Sequence, residues 1–161
     1  MAILTTAGRA GLAKAIKESV LHLAWGQGSS EWNTNEKVSE DPSQGVLFRE
    51  IGRRLVDSVQ YCIGDDEGDL VSPTGRFSVS ELPTNNLFIS TKFDFEDGAG
   101  YTIREFGLFI GTAVSNDCPV GQKYFLPSDI TDPGVLLTLE NTVPLIRLAS
   151  TREEFNFVLS L

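Results

Sequence analysis

Apolar residues recur every four positions near the start of the chain, at Leu12, Ile16 and Val20, joined by Ala13 and Leu23. That spacing predicts one amphipathic helix over about residues 5–20, with Thr5 or Thr6 as its N-cap. Gly8 and Gly11 each weaken its first turns by up to ~1 kcal/mol relative to Ala, so the helix needs tertiary packing to persist. Leu21-His22-Leu23-Ala24-Trp25 then alternates weakly and stops at Gly26-Gln27-Gly28, which reads as a short strand entering a loop.

Residues 26 to 45 hold Ser, Asn, Asp, Gly, Pro and five charged side chains, with Trp25 and Trp32 nearby. Loops beyond about 12–15 residues are uncommon in compact domains and are often functional. Partner contact is the function expected of this one. Val46 to Ile63 fits two templates: Leu47, Ile51, Leu55 and Val59 suit a helix, whereas Val56 to Ile63 suits a strand, and Gly52 interrupts either. Strands are favoured because the downstream chain is strongly β.

Leu87, Ile89, Thr91, Phe93 and Phe95 alternate with Phe88, Ser90, Lys92, Asp94 and Glu96, the period of a strand with one apolar face. Asp97-Gly98-Ala99-Gly100 supplies turn chemistry and Tyr101 to Ile110 returns, which predicts a β-hairpin. The return strand is continuously apolar at Phe106-Gly107-Leu108-Phe109-Ile110, as expected where both faces are covered. Further strands are predicted at Lys123 to Leu126, Val135 to Leu139, Val143 to Leu148, and through Phe155, Phe157, Leu159 and Leu161. The expected fold is α+β and mainly antiparallel β, a β-sandwich-like core of two packed sheets with one N-terminal helix. One domain over residues 1–161 is expected, its β-rich core spanning about 46–161.

Composition narrows the function classes. Hydrophobic residues make up 41% and charged residues 22% of the 161, the usage of an ordinary globular protein rather than a disordered one. No apolar run approaches the roughly 20 residues a membrane helix needs, and the start lacks the basic n-region of a signal peptide. A net charge of −9 opposes phosphate-backbone binding, so neither nucleic acid nor membrane is an expected partner. The basic group Arg49, Arg53 and Arg54 reads as an internal ion-pair set or a docking surface. Cys62 and Cys118 are too few for a disulfide framework or a zinc site and read as free thiols in a reducing compartment.

No catalytic constellation emerges, and no cofactor or metal is expected. His22 stands alone in the apolar setting Leu21-His22-Leu23 and reads as structural. Asp65-Asp66-Glu67-Gly68-Asp69 resembles a calcium loop only superficially: counting from Asp65, the sixth position is Leu70 instead of Gly and the twelfth is Arg76 instead of Glu. A solvated hairpin turn is the plainer reading. Arg104-Glu105 reads as a cross-strand or local ion pair.

Three segments, taken in order, carry a resemblance. Leu4-Thr5-Thr6-Ala7-Gly8 opening a small-residue helix, Ala24-Trp25-Gly26-Gln27-Gly28, and Thr102-Ile103-Arg104-Glu105-Phe106-Gly107-Leu108-Phe109 together resemble the N-terminal attachment domains of phage tail-collar and tail-fibre proteins. Glu50-Ile51-Gly52-Arg53-Arg54 sits where those proteins carry a similar acidic-apolar-x-Arg-Arg element. The agreement covers roughly residues 4 to 112. It departs at Gly111-Thr112-Ala113, where fibre proteins commonly have an acidic glycine turn, and in the absence of a fibre shaft before Leu161.

The resemblance implies a non-enzymatic virion protein of a contractile-tailed phage, made in the host cytoplasm. It would be a baseplate subunit or an adaptor joining tail fibres to the baseplate, in a homo- or hetero-oligomer of a six-fold assembly. A receptor- or glycan-binding tail module is the alternative. Partner contacts are expected at Trp32 in the long loop, at Arg53 and Arg54, and at Phe157 and Leu159, since a C-terminal strand can pair with a neighbour's edge.

Overall fold

The computed structural model describes residues 1–32 and 35–161. In chain order it contains helix α1 (Thr6–Lys17) and strands β1 (Leu21–Gly26), β2 (Glu50–Leu55), β3 (Ser58–Gly64), β4 (Leu70–Ser72), β5 (Gly75–Val79) and β6 (Asn86–Phe93). Next come β7 (Thr102–Ile110), β8 (Ala113–Val114), β9 (Tyr124–Phe125), β10 (Ile130–Asp132), β11 (Val135–Ile146) and β12 (Glu153–Ser160). The class is α+β, with antiparallel pairing throughout the ladders described below. Two compact units interleave along the chain: Met1–Ser19 with Val56–Lys92 and Glu154–Leu161, and Val20–Leu55 with Phe93–Glu153.

The first unit holds α1 and a sheet of order β12-β6-β3-β5-β4. Thr5 caps the helix, its hydroxyl accepting from the Gly8 N–H at 3.0 Å. The side of α1 that packs is centred on Ala13, which is fully buried, whereas Leu12 is 47% exposed. Of the face expected from Leu12, Ile16 and Val20 with Ala13 and Leu23, Ala13 and Leu23 are buried and Ile16 half-buried, while Leu12 and Val20 are exposed. Lys17 joins the packed side, donating to the Val59 carbonyl at 2.9 Å and lying over the Tyr61 ring. Its ammonium thus meets both an acceptor and the face of a ring.

Asp65 to Asp69 is a turn with its acidic residues exposed and Gly68 buried, but not a hairpin turn. Strand β3 pairs with β5, and β4 pairs with β5 on its other side. The turn therefore hands the chain past its neighbour. Strands β4 and β5 carry no long apolar alternation, so the sequence pattern does not predict them.

The second unit is built on a sheet of order β11-β7-β1-β2-β9, with β8 and β10 as a small separate pair. Strand β1 is central and all six of its residues are buried. Trp25 lies on Phe93 with ring centroids 3.6 Å apart, opposite Gly52 on one side and Phe106 on the other. Strand β7 is buried at Leu108 and Phe109, in keeping with its continuous apolar run. The two predicted strands between Val135 and Leu148 are one long strand, β11, irregular between Leu136 and Thr138 and between Asn141 and Leu145.

The predicted hairpin of β6 with β7 does not form. Strand β6 pairs with β3, while β7 pairs with β1 and β11. Asp97 to Gly100 turns the chain, but turn chemistry does not specify which strand the chain meets next.

Candidate partner-binding site

The long loop predicted over residues 26–45 runs from Gln27 to Arg49, and the strands beside it hold it in place. Arg104 and Glu105 are neighbours on β7, so their side chains leave opposite faces of the strand. Both are buried. Glu105 accepts from the Phe48 N–H and from the Gln44 side-chain amide, each at 2.8 Å. Arg104 donates to the Glu36 carbonyl at 3.0 Å and lies over the Trp32 ring at 5.4 Å. Asn141 on β11 takes the next stretch, its N–H donating to Glu40 at 3.0 Å and its amide to the Ser39 carbonyl at 3.3 Å. Arg104 and Glu105 thus form two separate clamps on one loop.

The loop's two ends meet. Gln27 N–H donates to the Arg49 carbonyl at 3.2 Å, and the Arg49 guanidinium donates to the Gly28 carbonyl at 3.0 Å. Arg49 has φ 49°, and it is the one described non-glycine residue in the left-handed region. Burial pushes the Glu105 carboxyl above its ordinary value, while the hydrogen bonds from Gln44 and Phe48 oppose that rise.

This frame presents an aromatic pair. Trp32 is half-buried and meets Phe48 edge to face at 5.7 Å, and Phe48 is 45% exposed. Val46 on the same loop is also exposed.

The basic pair of β2 lies inside the unit. Arg53 is 2% exposed and makes a two-pronged contact with Glu50, both distances 2.8 Å. Its remaining nitrogen donates to Thr112 and to the Pro133 carbonyl, and the guanidinium lies 4.0 Å from the centre of the Phe109 ring. Arg54 donates to Asp97 at 2.5 Å with both side chains largely covered. Of the two sequence readings, internal ion pairs describe both arginines. Each nitrogen of the Arg53 fork has an acceptor within the unit. Phe157 and Leu159 are half-buried on β12, at the rim of the first unit's sheet.

His22 is buried and meets Phe125 edge to face at 5.6 Å. Burial, and then the Arg53 charge, lower its pKa to about 4, so it is neutral near pH 7. Cys62 is buried and Cys118 half-buried, both as free thiols. Among the described residues no three His, Cys, Asp or Glu side chains gather as a metal-binding group. No described helix is long and apolar enough to cross a membrane.

A family model described as "Baseplate wedge 3 tail fiber network component" matches residues 1–161. The chain belongs to this family. Its name places the protein among the structural parts of a phage tail, in the baseplate and in association with tail-fibre components. The attachment-domain resemblance drawn from the Arg104-Glu105 strand and its companion segments agrees with it. No curated protein matches the chain.

For this baseplate component, the segments that carried the resemblance hold the clamps: Glu50, Arg53, Arg104 and Glu105 all fix chain inside the unit. Gln44, Asn141 and Arg147 escaped sequence reasoning. Arg147 is fully buried and donates to the carbonyls of Asp94, Leu148 and Thr151. Nothing in its local sequence distinguishes it from a surface arginine.

Proposed function

We propose that this baseplate wedge component is a fibre adaptor of a contractile-tailed phage. In this reading it holds tail fibres to the baseplate as one of a six-fold related set, it carries out no catalytic step, and it is made in the host cytoplasm before assembly. The observation that carries the reading is the clamped loop from Gln27 to Arg49. An adaptor needs a surface whose shape is set before binding, because ordering a mobile loop at the interface subtracts from affinity. Buried side chains of β7 and β11 pre-organise this loop and leave Trp32, Val46 and Phe48 as apolar contact area. Trp is favoured at the energetic centres of interfaces. The expected partners are the proteins of the baseplate and the fibre, in agreement with the acidic net charge of −9.

Cryo-electron microscopy of the intact tail tip tests this. Density for the chain touching both baseplate and fibre, with the Trp32 loop in one of the contacts, is the expected result. Absence from the particle, or placement only at a distal fibre tip, overturns it.

A further inference from the structure

Strand β12 is a sheet edge of a different kind from the others. A sheet edge presents unpaired N–H and C=O groups, and folded proteins blunt such edges by shortness, proline, charge or bulges. Among the described strands, β4 has three residues and β9 two. Strand β11 is long but is broken by two register shifts and contains Pro144. Strand β12 runs for eight residues, Glu153–Ser160, with no Pro or Gly and with its charges confined to Glu153 and Glu154 at its start, and has β6 on one side only. Its side chains are only partly covered as well. Phe155, Phe157, Val158 and Leu159 are all half-buried, and no residue of β12 is fully buried.

The geometry points to a second copy of this chain as the occupant, its β12 paired antiparallel with the first about a two-fold axis at Phe157. The residue pattern argues for this partner. In that register Phe157 faces its own copy and Phe155 faces Leu159, which closes the apolar face with apolar pairs. Asn156 faces Val158, and Glu154 faces Ser160. Cross-strand apolar pairs stabilise a sheet while like charges directly opposite destabilise it. Antiparallel pairing sends Glu153 and Glu154 of the two copies to opposite ends. Parallel in-register pairing would stack four carboxylates. The contact is isologous and therefore closes as a dimer. It does not depend on the adaptor reading, because it uses only the first unit's edge.

The test begins with sedimentation of the full chain, where a species of twice the 17.6 kDa chain mass is expected. Directly opposed residues of antiparallel strands have Cα atoms about 4.5–5.5 Å apart, within reach of a disulfide. In a Cys118→Ser background, Phe157→Cys is therefore expected to cross-link to its copy under mild oxidation. Ser160→Cys is expected not to, since the two copies of that residue lie at opposite ends. Phe157→Lys and Phe157→Glu are each expected to be monomeric, and their mixture to regain the dimer. Circular dichroism of each variant checks that it is folded, and recovery in the mixture cannot come from unfolded chains. A chain that is monomeric at every concentration overturns the proposal. So does cross-linking through Ser160→Cys as efficient as through Phe157→Cys.

Discussion

The Glu105 carboxylate, in the middle of β7, receives the backbone N–H of Phe48 at 2.8 Å across 57 positions of sequence. A second hydrogen bond, from Gln44 at 2.8 Å, uses its other oxygen. One buried acid thereby holds the end of the loop whose surface is proposed to meet a partner.

Replacing Glu105 by Gln keeps the shape and removes one of the two acceptors. An amide NH2 must then face either the Phe48 N–H or the Gln44 amide, donor against donor. A loss of about 1–3 kcal/mol is expected, the cost of an unsatisfied buried donor. Urea unfolding measures it. Limited proteolysis within the loop should accelerate by more than the change in global stability explains; unchanged cleavage would show that Glu105 does not hold the loop.

Buried Arg53 pairs with the largely covered Glu50, so removing one partner strands the other. Arg53→Met is expected to destabilise the fold by about 3–5 kcal/mol. The double variant Arg53→Met with Glu50→Gln should cost clearly less than the sum of the two single variants. Additive losses in that cycle would mean that the pair is not coupled.

His22 gives the fold a pH dependence with a definite sign. Its folded pKa is lowered from 6.5 to about 4, so between those values the unfolded chain binds more protons. The contribution is fully present above about pH 6.5 and is lost as pH falls through about 4, amounting to up to about 3 kcal/mol. Unfolding free energies measured across this window should fall toward acid in the parent chain. His22→Leu should show a shallower slope, and an unchanged slope would remove His22 as the cause.

Gly28 has φ +74°, and a methyl group there would lie 2.5 Å from ring carbons of Trp32. Gly28→Ala combines backbone strain with displacement of the indole. A loss of about 1–3 kcal/mol is expected, together with a shifted Trp emission. The same stability and emission as the parent would show that Trp32 does not rest on this glycine.

The helix and most strands are legible because their signals are local. The Thr5 cap, the alternation through Leu87 to Phe93 and the apolar run at Phe106 each report on a few neighbouring residues. Most of the stretch Val56 to Ile63 forms a strand, which runs Ser58–Gly64, although its pattern admits a helix. The face of α1 is only partly legible because the large apolar residue Leu12 stays exposed while the small Ala13 packs. Side-chain size signals hydrophobic content, but close approach of a helix to a sheet selects small residues.

Where the chain extends, where it turns and which family it resembles can be read from short stretches of residues, since these depend on periods and motifs a few positions long. Folding in three dimensions was needed to assign β6 and β7 to different sheets and to turn Arg53 inward. The same holds for Glu105 and Asn141, which clamp a loop reaching back as far as 102 positions. Pairing and burial are settled by which distant groups can satisfy one another once water is excluded. That competition involves the whole chain and leaves no mark on any short stretch of it.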